Sequence, residues 1–307
     1  SYLLRDLLET AEAPCGLIGT VEYRLGTRII PASRTTPDAL TLQSYLAQMA
    51  HAGCASAVME VSSHALALNR VAGCEYDVAV LTNITQDHLD FHGTMGQYAK
   101  AKALLFRQCR AGAVNLDDDW AQMMIQEAAC PVMTFSVKKN EADLVAKDIR
   151  LSSSNVRFCA LATGKLERVS LGIPGGFTVY NALGVIACGM LLGLELQECT
   201  SALETAKGVK GRVEVVPTGG DFTILIDYAH TPDALENALD SLRPFAKGKL
   251  TVVFGCGGDR DKGKRPLMAQ IAERLADRLV ITDDNPRLEP SAAIIDGIMS
   301  GLREPAA

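Results

Sequence analysis

Side chains able to do chemistry gather where apolar runs end. VMEVSSH closes on Glu60, Ser62, Ser63 and His64, and VLTNITQDHLDFH sets Asn83, Asp87, His88, Asp90 and His92 just past another run. A carboxylate and an imidazole brought side by side at two strand ends would suit a divalent cation. The same residues also fit a plainer pattern, with Glu60 capping a helix and His88 and His92 sharing a solvated helix face at i and i+4. Spacing alone leaves both open.

Four further segments have the same character. YAKAKALLF places Lys100 and Lys102 in a helical pattern, where a lone lysine ordinarily reaches for water along its apolar stem. IDYAHTPDALENAL ends an apolar run on Asp227, Tyr228 and His230 before a helix that Thr231 and Pro232 would start. FGCGGDRDKGKRP sets three closely spaced glycines, Gly255, Gly257 and Gly258, ahead of Asp259, Arg260, Asp261, Lys262, Lys264 and Arg265, a composition suited to an anion, although G-x-G-G is not the dinucleotide fingerprint. VITDDNPRLEP puts two carboxylates, an amide, a proline and an arginine in succession, more than a simple turn requires.

Alternating strands and helices must position these groups. CGLIGT, SAVMEVSS, YDVAVLTNIT, GAVNLD and PVMTFS read as strands, with helices over TPDALTLQSYLAQMAHAG, TMGQYAKAKALLFRQC and residues 118–129 between them. This alternation predicts a parallel sheet flanked by helices. ADLVAKDIRLS, NVRFCALAT and KLERVSLGI follow one another across turn residues, which predicts a small antiparallel patch. Helices are expected from about Thr178 to Leu192 and from about Leu196 to Ala206, and KGVKGR is the linker expected next. The alternation then resumes in a second, open α/β domain.

The bulk numbers agree with a two-domain α/β protein. The chain has 307 residues, 48% of them hydrophobic and 21% charged, and a net charge of −6 with dispersed lysines and arginines. That charge provides no field for wrapping nucleic acid. Nine cysteines, an odd number without a C-x-x-C pair, predict reduced thiols and a cytoplasmic setting. No apolar run is long enough for a membrane span. An amphipathic helix is already under way at SYLLRDLLETAE, and the closing SAAIIDGIMSGLREPAA stops without a following strand, so the chain reads as cut from something longer.

Taken in order, TTP at Thr35–Pro37, EVSSH at Glu60–His64, TN at Thr82–Asn83, DHLD at Asp87–Asp90, AK at Ala101–Lys102, YNA at Tyr180–Ala182, GRVE at Gly211–Glu214, DYAHTP at Asp227–Pro232, GCGGDRDKGKRP at Gly255–Pro266 and DNPR at Asp284–Arg287 resemble the Mur ligases of bacterial cell-wall synthesis. The resemblance implies a central ATPase domain over residues 1–208, without its phosphate-loop strand. A truncated, Rossmann-like α/β C-terminal domain would follow over 209–307, and the N-terminal uridine-binding domain would be absent.

The members it looks most like add meso-diaminopimelate to UDP-N-acetylmuramoyl-L-Ala-D-Glu through an acyl phosphate, with ATP as co-substrate and Mg²⁺ as cofactor. A monomer is expected. It makes Lys102 a lysine carbamylated in these enzymes, holding metal with Glu60 and His88. Thr35, Thr36, Ser62 and Arg70 would contact the UDP-muramoyl dipeptide. Leu68 stands where some members have a glutamine contact. Asn83, Asn181, Arg212, Asp227, His230 and Asn237 would hold ATP, with Arg212 also counted among the catalytic groups beside Lys102, Glu60 and His88. Arg260, Asp284, Asn285 and Arg287 would grip diaminopimelate. Without the phosphate loop, these 307 residues alone are expected to have little ligase activity. The rival readings are an L-lysine-adding relative, a folate polyglutamate ligase and a non-catalytic binding fragment.

Overall fold

The computed structural model describes residues 1–9, 14–85, 87–152, 154–206, 208 and 211–303, without the side chain of Asp90. Of the expected linker, Lys207, Val209 and Lys210 therefore lie outside the described residues. The chain forms two compact units. One comprises Ser1–Arg150, Arg157–Leu171 and Thr178–Ala206, and the other Leu151–Val156, Gly172–Phe177 and Lys207–Ala307.

The first unit opens with α1 (Tyr2–Glu9), whose Leu3 and Leu7 are buried. Next come β1 (Cys15–Ile18), β2 (Glu22–Leu25), β3 (Arg28–Pro31), α2 (Ala39–His51), β4 (Ser56–Met59) and α3 (Ser63–Ala67). The first sheet has the order β3-β2-β1-β4: β1 and β4 are parallel, and β2 pairs antiparallel with both β1 and β3. The β2–β3 hairpin is absent from the sequence expectation. Its strands are only four residues long and turn through Gly26 at φ 66°, too short a run for alternation to stand out.

The unit continues with β5 (Tyr76–Leu81), α4 (Leu89–His92), α5 (Met95–Ala103), β6 (Cys109–Asn115), α6 (Ala121–Glu127), β7 (Val132–Ser136), β8 (Leu144–Leu151), β9 (Val156–Ala162), β10 (Lys165–Leu171), α7 (Phe177–Leu191) and α8 (Leu196–Glu204). The second sheet runs β10-β9-β8-β7-β6-β5, with β5 to β7 parallel as the alternation predicts and β8, expected in the antiparallel patch, also pairing parallel with β7 without an intervening helix. The short links from β8 to β9 and from β9 to β10 allow only antiparallel pairing, which is the predicted patch. The parallel strands thus divide between two sheets rather than forming one. Phe106, Val114 and Met124 lie in the core under β5 and β6, and each such buried side chain contributes on the order of 2 kcal/mol.

The second unit contains β11 (Glu214–Val216), β12 (Ile224–Ile226), α9 (Pro232–Leu242), β13 (Thr251–Cys256), α10 (Lys264–Leu275), β14 (Arg278–Asp283) and α11 (Ser291–Met299). The β11–β12 pair is antiparallel and the β13–β14 pair parallel, in register from Thr251 opposite Arg278 to Cys256 opposite Asp283. Leu235, Leu239, Phe254, Met268, Ile294 and Ile298 form its core. Both parallel strands end at one edge of this small sheet, where GGDRDKG and DNPR emerge. Among the described residues no helix is long and apolar enough to cross a membrane.

Candidate functional site

In the first unit, the residues after β4 meet the loop before α2. The Thr36 hydroxyl, on a residue only 1% exposed, donates to the Glu60 carbonyl at 2.8 Å and accepts from the Ser62 amide at 3.0 Å. Ser62 caps α3 by accepting from the Ala65 amide at 3.2 Å, which leaves its own N–H to Thr36. Arg70 Nη1 reaches the Thr36 carbonyl at 3.5 Å, and the Thr35 and Thr20 hydroxyls lie 3.2 Å apart. Thr35, Thr36, Ser62 and Arg70 therefore gather around Glu60, a convergence their spacing does not reveal. Leu68 is exposed beside them.

The Glu60 carboxylate accepts from Ser1 Oγ at 2.6 Å, from Thr20 Oγ1 at 2.6 Å and from the Thr20 amide at 2.9 Å. Burial works to raise its pKa, but these hydrogen bonds outweigh burial and hold the carboxyl below its ordinary value. A Cβ at Gly19 would stand 3.2 Å from Glu60 Oε1, so a larger residue there would push on the carboxylate by a few tenths of an ångström.

His88 does not share a solvated face with His92. It takes a left-handed conformation (φ 54°) as the N-cap of α4, held by its own amide donating to Asp87 Oδ1 at 2.8 Å. His92 is buried, its Nε2 2.9 Å from Ser63 Oγ. His64 bridges the two, with ring centroids 4.6 Å from His88 and 5.5 Å from His92. Lys102 Nζ lies 5.2 Å from the Tyr98 ring centroid, and Tyr98 in turn stacks near both His88 and His92. Burial pushes the Lys102 pKa down, against the pull of Asp87 and Asp118. Lys100, two residues earlier, is exposed. Among the described residues no three His, Cys, Asp or Glu side chains converge as metal ligands would.

Asn83 and Asn181 are exposed, at the end of β5 and in the first turn of α7. Beside Asn181, the Tyr180 hydroxyl bonds to Asp117, and burial with that carboxylate pushes the phenol up to about 12. Asp117 also accepts from the Val137 amide at 2.8 Å and the Lys138 amide at 3.1 Å, so it ties α7 to the end of β7.

In the second unit, Asp227 accepts from the Val213 and Ala229 amides, each at 2.8 Å, and so fixes the turn that carries Arg212. Arg212 lies over Tyr228, its Cζ 5.1 Å from the ring centroid, and Tyr228 meets His230 edge-on at 5.2 Å. His230 is exposed, and its carbonyl accepts from Lys264 Nζ at 2.7 Å. Asn237 is exposed on α9.

The loops after β13 and β14 are interlocked. The Gly258 amide donates to the Asn285 carbonyl at 3.2 Å, and Arg287 Nη1 donates to the Gly258 carbonyl at 2.7 Å. A Cβ on Gly258 would fall 1.8 Å from the Pro286 carbonyl oxygen, so only glycine permits this approach. Asp259, Asn285 and Arg287 all adopt left-handed backbone (φ 51°, 45° and 53°), a strain that marks a shape enforced by its surroundings. Arg260, Asp284, Asn285 and Arg287 are all exposed on these two loops.

Residues 1–189 match the Mur ligase middle domain, and residues 211–306 match the Mur ligase glutamate ligase domain. The chain belongs to the Mur ligase family. Among its Mur ligase relatives, the UDP-N-acetylmuramoyl-L-alanyl-D-glutamate–2,6-diaminopimelate ligase of Caldanaerobacter subterraneus subsp. tengcongensis is 45% identical over 305 residues, which is 99% of this chain and 63% of that protein. The Bacillus cereus protein of the same name is 41% identical over 98% of the chain and 63% of its own length. A solved structure of a ligase so named is 35% identical, with a TM-score of 0.73 over 98% of the chain and 62% of that chain. The Mycobacterium tuberculosis folylpolyglutamate synthase, 17% identical with a TM-score of 0.75 over 97% of this chain and 74% of its own, shares the fold. The chain thus spans about 63% of the length of the curated relatives it matches.

Proposed function

We propose that the chain serves an ATP-dependent amide ligase of peptidoglycan precursor synthesis, which adds meso-diaminopimelate to UDP-N-acetylmuramoyl-L-Ala-D-Glu. The γ-phosphate of ATP passes to the D-glutamate side-chain carboxylate and ADP leaves. The amine of diaminopimelate then attacks the acyl phosphate, forming the amide and releasing phosphate, and the amine's proton is lost. The barrier is the approach of anions, and fixed cations are the groups that lower it.

Residues 1–208 are read as the ATP-binding domain and 209–307 as the amino-acid-binding domain. Thr35, Thr36, Ser62 and Arg70 are assigned to the muramoyl dipeptide. Asn83, Asn181, Asp227, His230 and Asn237 are assigned to ATP, and Arg212 to the transferring phosphate. Glu60, His88 and Lys102 would hold Mg²⁺, which supplies charge neutralisation at the phosphates when bound. The donor chemistry fits in two respects: Glu60 is held ionised, and burial disfavours the Lys102 ammonium. No three acidic, imidazole or thiol groups converge among the described residues, so the set depends on Lys102 becoming a carbamate that adds an oxygen donor. Cytoplasmic, monomeric action suits these water-soluble substrates.

The interlocked loops carry this reading. They present Arg260, Asp284, Asn285 and Arg287 on one strand-end edge, and a second amino-acid centre with its own carboxylate and ammonium is the ligand that two arginines, a carboxylate and an amide would grip. The full-length gene product that encodes these residues provides the test. Arg287→Ala should raise the KM for meso-diaminopimelate about a hundredfold and leave that for ATP nearly unchanged. Equal rises in both would reduce the stretch to a turn.

A further inference from the structure

Arg265 and Glu289 stand outside the residues assigned above, yet together they join the two loops. Arg265 is only 2% exposed at the start of α10, and its Nη1 and Nη2 donate to Glu289 Oε1 and Oε2, each at 2.8 Å. The same Nη2 reaches the Gly257 carbonyl at 3.3 Å. Glu289 sits two residues past Arg287, in a turn closed by its amide donating to the Pro286 carbonyl at 3.0 Å. Its carboxylate also accepts from the Asp259 amide at 3.2 Å and lies 3.2 Å from Lys262 Nζ. The Asp259 carboxylate answers by accepting from the Leu288 amide at 3.1 Å.

One carboxylate therefore collects a bidentate guanidinium and a backbone amide, with an ammonium close by. Its donors come from the loop after β13 and from the start of α10, while the carboxylate belongs to the loop after β14. Three left-handed, non-glycine residues on these loops need such an external hold, because each is strained by itself. A surface ion pair would be worth little, but this guanidinium is buried, and its planar fork fixes direction as well as distance.

We propose that the Arg265–Glu289 pair positions both loops as one rigid grip for the amino-acid substrate, so that it sets substrate affinity without touching substrate. The proposal rests on the reading of these loops as the diaminopimelate site. Loop rigidity itself can be measured whether or not that reading holds.

The test uses the full-length gene product with Glu289→Gln, which keeps the shape and removes the charge, and Arg265→Lys, which keeps the charge and removes the fork. Amide hydrogen exchange is followed at residues 257–262 and 284–289, beside KM for meso-diaminopimelate and for ATP. Both loops should lose protection together in either variant, with the KM for diaminopimelate up about tenfold and that for ATP unchanged. Wild-type protection in both loops, loss in only one, or parallel rises in the two KM values would overturn the positioning role. Wild-type enzyme indifferent to diaminopimelate would instead refute the functional reading, while the exchange data still decide the pair.

Discussion

The Thr36 hydroxyl donates to the Glu60 carbonyl at 2.8 Å and accepts from the Ser62 amide at 3.0 Å, so one buried side chain joins the TTP loop to the end of β4. Thr36→Val keeps the shape and deletes both bonds, which strands a buried carbonyl and an amide. The variant should lose about 1–3 kcal/mol of stability in denaturant unfolding, while Thr36→Ser stays close to wild type. An unaltered Thr36→Val would mean that the loop is held by its other contacts.

Lys102 is the lysine on which the metal assignment depends. Carbon dioxide adds to the neutral amine, and burial favours that form over the ammonium, against the pull of Asp87 and Asp118. Protein exchanged into ¹³C-labelled bicarbonate should show one carbamate resonance by NMR, absent from Lys102→Arg. An unmodified ammonium at saturating bicarbonate would remove the third ligand from the assignment.

The contact of Gly258 with Pro286 yields a steric test. A methyl group at Gly258 would sit 1.8 Å from the Pro286 carbonyl, so Gly258→Ala must part the two loops or strain both. It should destabilise the second unit by about 2 kcal/mol or more and weaken diaminopimelate binding measured by calorimetry. Binding retained at wild-type strength would show that the close approach is dispensable.

Glu289 makes a pH prediction. The hydrogen bond from Arg265 is the largest influence on it, and against the opposing effect of burial the carboxyl is held at about 2, below its ordinary 4.5. The folded state thus binds fewer protons than the unfolded state between these values. The stability contributed by the pair is fully present above about 4.5 and is lost as pH falls towards 2. Urea unfolding of the wild type should weaken across that window more steeply than unfolding of Glu289→Gln. Identical slopes would show that the carboxylate gains nothing from its partner.

Much of this architecture is legible in the sequence, for a physical reason. Buried parallel strands such as CGLI are apolar throughout, and the covering helices are striped, so the β/α rhythm survives in sequence. The β2–β3 hairpin did not survive, because EYRL and RIIP are short and mix charged with apolar residues. His88 and His92 show the limit of periodicity: i and i+4 imply a common face only within a helix, and His88 lies outside one in left-handed backbone. The candidate-site residues are legible only through the family resemblance, since no spacing rule brings Thr36 to Glu60. Arg265 stands out in the charge run, but its pairing with Glu289 is not legible, because arginine and glutamate 24 residues apart are ordinary until the fold joins them. The glycines and the run of charges in GGDRDKGKRP are the signal on the Arg265 side; Glu289 has none.

The amino acid proposed to enter at the third position is diaminopimelate. The most direct measurement is ADP formation by the full-length gene product with ATP, Mg²⁺ and UDP-N-acetylmuramoyl-L-Ala-D-Glu, comparing meso-diaminopimelate with L-lysine. Arg287 and Arg260 should make release depend on meso-diaminopimelate, with L-lysine at least about a hundredfold less efficient in kcat/KM, because it offers no distal carboxylate to their fork-shaped donors. Equal efficiency with both amino acids, or ADP formation that ignores both, would rule out diaminopimelate as the third-position residue.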